Sequence, residues 1–382
     1  MLQQVEGRER TADKLPTFAA IDDWWYPVRL SCEQCSSEFT AKYKSQMVHG
    51  TCPNGKCLDL TGGYGVDTYF LSELFTHTDY VEQDAELCRI AEHNFGLQSL
   101  VVGHSSLDIS VHNTTAEDFL SSLSREAGRG YDLIYLDPAR RDSHGGKVFR
   151  LGDCTPNVVE LLPTLLSHLT DSGRILLKLS PMLDLTQAVK ELSAASIQWS
   201  VYVVAIKNEV KEVLLLSTKG QSTKDNGNIT AIDLAKPEQV FRFTREEESN
   251  SVSGLTAPAV YQCNGLSGAA GLFLYEPNAA ILKAGAYKLV ARRFGLHKLD
   301  VNTHLYVSDT LVSDFPGRVW QIKEHIQHNT SNITHANVLV RNYPLTPEQL
   351  KKKLHLRDGG TAYIIGCRVA GKPTIFLAER VK

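Results

Sequence analysis

The sequence predicts an α/β protein: a doubly wound, mostly parallel sheet followed by a small α+β module. Three observations carry that expectation. The apolar run Cys57-Leu58-Asp59-Leu60 enters a glycine cluster, Thr61-Gly62-Gly63-Tyr64-Gly65, and continues as an amphipathic stretch from Val66. The next apolar stretch, Tyr80-Val81, closes on the acid Glu82. Strand-like and helix-like segments then alternate as far as about Thr218, the pattern that builds βαβ units.

The glycine cluster organises the chain. Gly62, Gly63 and Gly65 can take positive φ and let a ligand approach the backbone, while the N–H groups opening the next helix face whatever lies over the turn, so an anionic group is expected there. Two nucleotide-handling arrangements begin this way: a dinucleotide turn of the form Gly-x-Gly-x-x-Gly, and a methyltransferase turn with an acid a few positions ahead of the glycines. Asp59 favours the second. Glu82 follows Asp59 by 23 residues, where the second strand of such a sheet presents a carboxylate to ribose hydroxyls. The fourth strand, Tyr131 to Leu136, decides the matter by running into Asp137-Pro138-Ala139-Arg140-Arg141, which sets a carboxylate and a rigid carbonyl at the carboxyl edge of the sheet.

Taken together, Asp59 to Gly65, Glu82-Gln83-Asp84 and Asp137-Pro138 resemble the class I S-adenosylmethionine-dependent methyltransferases over about residues 30–218. The resemblance implies a Rossmann-like sheet of seven strands with S-adenosylmethionine as cofactor. It places Asp59, Thr61, Gly62, Gly63, Gly65, Glu82, Gln83 and Asp137 around that cofactor, and Asp137, Pro138, Ala139 and Arg140 at the catalytic edge.

Taken in order, residues 1–50 read as a helical segment with an aromatic knot at Trp24-Trp25-Tyr26-Pro27. Glu33 to Lys44 is expected as one helix, capped by Ser36 or Ser37, with Phe39 and Tyr43 on one face. Many nucleic-acid methyltransferases carry such a helix over the methionine end of the cofactor, which makes Gln34 and Lys44 cofactor-side candidates; Lys44 reads equally as a solvated helix-end lysine. Residues 51–220 form the methyltransferase domain, with helices expected at 65–75 and 85–96. After the weak strand Ile109 to His112, Thr115 stands where the family carries an acid against the adenine amine, so backbone groups at Ala116 or the carboxylate of Glu117 are the expected substitutes. The stretch 140–156 is long for a compact fold and is expected to hold substrate. A strand at 174–181 and a hairpin over 198–217 complete the domain.

Residues 221–277 are read as a linker with connecting strands, and Glu246 to Ser251 as an exposed turn. Beyond them a helix is expected over 279–294, then short strands and a closing helix at 347–354. Asn302-Thr303-His304-Leu305-Tyr306, Asp314-Phe315-Pro316-Gly317-Arg318 and Arg341-Asn342-Tyr343-Pro344 resemble the carboxyl-terminal half of bacterial methyltransferases that carry a ferredoxin-like subdomain, here 278–322, and a THUMP-like domain, here 323–382. THUMP domains are RNA-binding modules of tRNA-modifying enzymes, so the resemblance implies an RNA partner.

Composition narrows the class. An apolar content of 42% with 22% charged residues is that of a globular protein, and no run of about 18 apolar residues signals a membrane span. The first residues lack the apolar core of a secretory signal, so a cytoplasmic protein is expected. Nothing in the sequence specifies an oligomeric state. Cys32-x2-Cys35 and Cys52-x4-Cys57 have paired-thiol spacings that can frame a zinc site, but they read as four unlinked thiols, because Cys57 belongs to the first strand; no metal is expected. Charge is uneven: residues 278–382 hold 16 Lys or Arg against 7 Asp or Glu, whereas residues 1–277 hold 24 against 36. A basic module joined to an acidic catalytic half points to a polyanion, although Lys351-Lys352-Lys353 alone reads as a solvated helix face.

S-Adenosylmethionine carries an activated methyl, so the protein mainly orients a nucleophile and excludes water. Amine-methylating enzymes of nucleic acids use a strand-end acid or amide, two prolines and an aromatic residue that stacks on the base. Asp137-Pro138 matches the first half; Ala139 and Arg140 depart from the second, leaving stacking to the planar guanidinium of Arg140 or to an aromatic residue elsewhere. No cysteine lies between Asp171 and Trp199, which disfavours covalent attack on a pyrimidine ring. The expected activity is methyl transfer to a base nitrogen of RNA. A methyltransferase of a small molecule or protein side chain, or a non-catalytic RNA-binding protein on the same fold, are the alternatives.

Overall fold

The structure is a computed structural model that describes residues 2–49, 55–98, 107–123, 130–140, 150–192, 197–218, 227–251, 269–326 and 333–381. Two compact units emerge, residues 1–204 with 211–227 and residues 205–210 with 228–382.

The first unit opens with four helices, α1 (Leu2–Thr11), α2 (Pro16–Ala19), α3 (Arg29–Gln34) and α4 (Glu38–Val48). The single helix expected over 33–44 is thus two: Cys35 is extended (φ −60°, ψ 161°), ending α3, and the Ser37 hydroxyl accepts the Thr40 N–H to start α4. The buried side of α4 is Thr40, Ala41, Lys44 and Val48, and Phe39 faces outward.

The sheet follows: β1 (Lys56–Asp59), α5 (Val66–Ser72), β2 (His77–Glu82), α6 (Ala85–Gln98), β3 (Ile109–Asn113), α7 (Ala116–Ser122) and β4 (Tyr131–Leu136). A two-residue pairing of β5 (Ala139–Arg140) with β6 (Cys154–Thr155) brackets the expected substrate stretch, whose residues 141–149, Arg141 and His144 among them, lie outside the described residues. Then come α8 (Val158–Ser167), β7 (Leu169–Leu179), α9 (Leu185–Leu192), β8 (Gln198–Ile206) and β9 (Glu209–Thr218). Within the sheet these strands run β8-β9-β7-β4-β1-β2-β3. β1 pairs in parallel with β2 and β4, and β9 runs antiparallel to β7. β1 lies inside the sheet, flanked by β4 and β2, which is why Cys57 and Leu58 are apolar and fully buried. β10 (Asn228–Asp233) and β11 (Phe241–Thr244), which belong to the second unit, pair antiparallel with each other.

An aromatic cluster fixes the amino-terminal segment over the glycine turn. Trp24 stacks on Phe18 with ring centroids 4.3 Å apart, and its Nε1–H donates to the Tyr64 hydroxyl at 2.9 Å. Tyr69, Phe70, Tyr80 and Phe95 complete the cluster. The expected aromatic knot is therefore a core element.

In the second unit, the stretch expected as an exposed turn at 246–251 is a helix, Arg245–Asn250, because Thr244 and Glu247 exchange hydrogen bonds in a capping box. The helix expected over 279–294 is two, Ala279–Ala284 and Tyr287–Phe294, separated where Gly285 turns left-handed at φ +83°. A seven-stranded sheet completes this unit, with the carboxyl-terminal strands Gly317–His325, Lys372–Arg380, Ala362–Val369 and Asn337–Arg341 adjacent in that order. No helix among the described residues is long and apolar enough to cross a membrane.

One glycine of the turn is required by packing rather than by φ. A Cβ on Gly62 would lie 2.1 Å from the Tyr80 ring. Gly62→Ala is expected to destabilise the protein by about 1–3 kcal/mol, the usual cost of overpacking, with chemical denaturation as the measurement.

Candidate active site

The turn after β1 is built by residues that hold it from both sides. Asp59 has no exposed surface; its carboxylate accepts the Thr61 N–H at 2.9 Å and the Thr68 hydroxyl at 2.6 Å, tying the strand end to the first turn of α5. The Gly62 N–H donates to the Val81 carbonyl at 2.9 Å, the Gly65 N–H to the Gly62 carbonyl at 2.8 Å, and the Tyr80 hydroxyl to the Gly63 carbonyl at 2.6 Å. Gly65, left-handed at φ +80°, is the residue from which α5 begins. At the end of β2, the Glu82 carboxylate accepts the N–H groups of Gly63 and Asp84, both at 2.9 Å. Its orientation is fixed, with lone pairs left over.

Beside this turn lies a cleft of about 310 Å³. Gln34 and Cys35 form one side; Leu60, Thr61, Gly63 and Tyr64 form the base; Glu82, Gln83 and Leu87 follow; Thr115, Ala116 and Glu117 form the far side; and Asp137, Ala139 and Pro156 close the end. The structure thus gathers Gln34, Thr61, Gly63, Glu82, Gln83, Thr115, Ala116, Asp137 and Ala139 around one cavity. Gly63 opens toward it without hindrance: a Cβ there would meet nothing nearer than the Thr61 carbonyl at 3.8 Å. Asp59, Gly65 and Pro138 are buried and Gly62 is half-buried, and none of the four lines the cleft. Arg140 contributes its backbone pairing with Cys154.

Thr115 caps α7: its hydroxyl accepts the Asp118 N–H at 3.1 Å and donates to the Asp118 carboxylate at 2.9 Å. Cys57 is wholly enclosed in β1, and among the described residues no three His, Cys, Asp or Glu side chains group as metal ligands.

Lys44 corrects both expectations held for it. It neither meets solvent nor lines the cleft; its ammonium is fully buried, 2.9 and 2.8 Å from the Glu212 oxygens, 3.1 Å from Asp67 and 3.2 Å from the Ser36 hydroxyl. Asp67 also accepts the hydroxyls of Ser36 and Tyr135, each at 2.7 Å. Burial acts to raise the Asp67 carboxyl, but Lys44 and Lys178 together hold it below its usual range. Glu212 stays raised, burial outweighing the same two lysines.

The Asp137 backbone N–H donates to the Thr61 hydroxyl at 2.6 Å, and its carboxylate is paired with the Lys178 ammonium from β7. Burial acts to lower Lys178, yet Asp137 foremost, then Asp67 and Glu212, push it well above the ordinary lysine value. Sequence reasoning missed Lys178, Glu212 and Asp67. The available signal was charge inside apolar strands, Lys178 after Ile175-Leu176-Leu177 and Glu212 before Val213-Leu214-Leu215.

Comparison with known proteins agrees with this geometry. Residues 273–316 match the model of a ferredoxin-like domain and residues 317–380 that of a THUMP-like domain. A crystal structure from Porphyromonas gingivalis W83, described as a candidate methyltransferase, is 33% identical, with a TM-score of 0.83 over all of this chain and 90% of that one. Uncharacterized S-adenosylmethionine-dependent methyltransferases from two strains of Mycobacterium tuberculosis, H37Rv and CDC 1551, are each 21% identical over 377 residues, 95% of this chain and 90% of theirs.

The buried acid of the turn has a consequence for stability. Burial, only partly offset by the Thr68 and Thr61 hydrogen bonds, pushes Asp59 from 3.8 up to about 7. The folded state therefore holds this proton more tightly than the unfolded chain. The resulting stabilisation is complete below about pH 4 and is lost as pH rises through about 7. Urea unfolding at several pH values is expected to show this loss, as much as ~4 kcal/mol, and Asp59→Asn to remove it from the profile.

Proposed function

The chain belongs to the methyltransferase family that its full-length likeness to the Porphyromonas gingivalis protein shows, an S-adenosylmethionine-dependent enzyme with ferredoxin-like and THUMP-like domains, and from that premise we propose that it methylates a base nitrogen of RNA. The observation that carries this reading is the placement of Asp137 on the same cleft as Thr61, Gly63 and Glu82.

The residues present suit the cofactor. Gly63 and Thr61 offer an unobstructed backbone for its methionine end, Glu82 has free lone pairs for ribose hydroxyls, and Leu87 and Ala116 offer apolar contact to an adenine with Glu117 beside them. When bound, S-adenosylmethionine supplies a methyl already activated on a sulfonium. The remaining task falls to the chain: to hold a nitrogen lone pair in line with that methyl and keep water away. Asp137 accepts an N–H of the acceptor, and the Thr61 hydroxyl fixes the backbone from which it projects. As the new N–C bond forms, the electron pair of the broken bond returns to sulfur and the surplus proton of the nitrogen passes to water. The basic composition of residues 278–382 supports a polyanionic acceptor.

Isothermal titration is expected to give micromolar binding of S-adenosylmethionine, weakened at least about tenfold, or ~1.4 kcal/mol, in Glu82→Ala. Asp137→Ala is expected to keep that affinity while losing roughly a hundredfold in methyl incorporation into RNA. Binding of RNA by the full chain should fall steeply with salt. Wild-type cofactor affinity in Glu82→Ala would remove the cofactor assignment. Salt-independent acceptor binding would move the acceptor to a small molecule or a protein side chain.

A further inference from the structure

We propose that Lys178 is a positioning residue of the methyl transfer: it takes one oxygen of Asp137 so that the other alone accepts the acceptor amine, and Asp137 serves as an orienting acceptor rather than a general base. The proposal rests on the assignment of Asp137 to the acceptor amine.

The geometry supports this in three steps. Asp137 is held at two points, its backbone N–H by the Thr61 hydroxyl at 2.6 Å and its Oδ2 by Lys178, while the side chain keeps 37% of its surface on the cleft. Lys178 leaves only 12% of its side chain exposed and comes from β7, which pairs in parallel with β4, the strand that ends at Asp137. The ammonium is itself confined, because Asp67 and Glu212 act on it from α5 and β9, and Lys44 from α4 neutralises the same two carboxylates at 3.1 and 2.8 Å. An ammonium so placed has little freedom to release Asp137, and Asp137 correspondingly little freedom to rotate.

A carboxylate that already gives one oxygen to a buried ammonium has a single oxygen left to direct at an acceptor. The arrangement suits an acceptor that arrives neutral and carries an N–H, such as the exocyclic amine of a base. An ammonium or alcohol must first lose a proton to become nucleophilic. In the proposed step the nitrogen pair forms the N–C bond, the C–S pair goes to sulfur, and the proton then leaves the methylated nitrogen for water, with Asp137 unprotonated at both ends.

Two measurements on the full chain test this. In the first, ¹³Cε signals of lysines are followed through an alkaline titration. Lys178 is expected to stay charged after the surface lysines have lost their protons, and in Asp137→Asn to titrate at least about one pH unit lower; an unchanged Lys178 titration in that variant would overturn the pairing. In the second, tritiated methyl transfer to total RNA from cells lacking the protein is measured for Lys178→Met and Lys178→Arg. The expected result for Lys178→Met is a kcat lower by about a hundredfold with KM and cofactor affinity within about twofold, and substantial rescue in Lys178→Arg. Equal loss in both variants, or loss confined to KM, would overturn the positioning role. If the wild type labels no RNA while the first measurement holds, the RNA reading falls and the pairing of Lys178 with Asp137 stands. The first measurement uses Asp137→Asn, so it decides the pairing even if Lys178→Met does not fold.

Discussion

Everything near the cleft depends on one constraint: charges taken out of water must be neutralised together. Lys44, Lys178, Asp67, Glu212 and Asp137 belong to α4, β7, α5, β9 and the end of β4, so balancing them ties five elements to one another. Breaking one buried partner out of such a group typically costs about 3–5 kcal/mol, because the charge left behind remains buried. The net benefit over an apolar core of the same volume is far smaller. What the network supplies is direction: Lys44 takes both oxygens of Glu212, Ser36 and Tyr135 donate to one oxygen of Asp67, and Lys178 takes one oxygen of Asp137 and leaves the other open.

The glycine turn follows from the same economy of space. Gly62 has no room for a side chain because the Tyr80 ring occupies it, whereas Gly63, left-handed at φ +56°, faces the cleft with nothing in the way. Tyr80 then donates its hydroxyl to Gly63, and Glu82 two residues later accepts the Gly63 N–H. A single strand, β2, therefore packs against the turn and supplies the acid proposed to meet the ribose.

Much of the fold was legible in the sequence. The strands Cys57 to Asp59, Tyr80 to Glu82 and Tyr131 to Leu136 are short apolar runs closed by acids, and burial on both faces of a parallel sheet demands that composition. The breaks were less legible. Nothing in Glu33 to Lys44 forbids one helix, and it is split because Cys35 and Ser37 take extended backbone at the cleft edge. At 279–294 the signal was present, since Gly285 is the residue that turns left-handed. The cleft residues could be found because each sits at the end of a local pattern. Lys44 could not be placed, because its partner Glu212 lies 168 residues away and local spacing carries no trace of it.

Two departures from the family's usual residues, Thr115 at the adenine position and Ala139 in the amine-methylating pattern, are of different kinds. Thr115 has a local role: it caps α7 through the Asp118 N–H while lining the cleft beside Ala116 and Glu117. Ala139 is explained by what surrounds it. It starts the short pairing with Cys154-Thr155, which brings Thr155 and Pro156 to the same end of the cleft as Asp137. The second proline of the pattern is thus replaced at 139 by a small side chain beside a second backbone segment. With no aromatic ring at 140, orientation of the proposed acceptor depends less on stacking and more on the directed lone pair of Asp137, which is where the Lys178 ammonium has its effect.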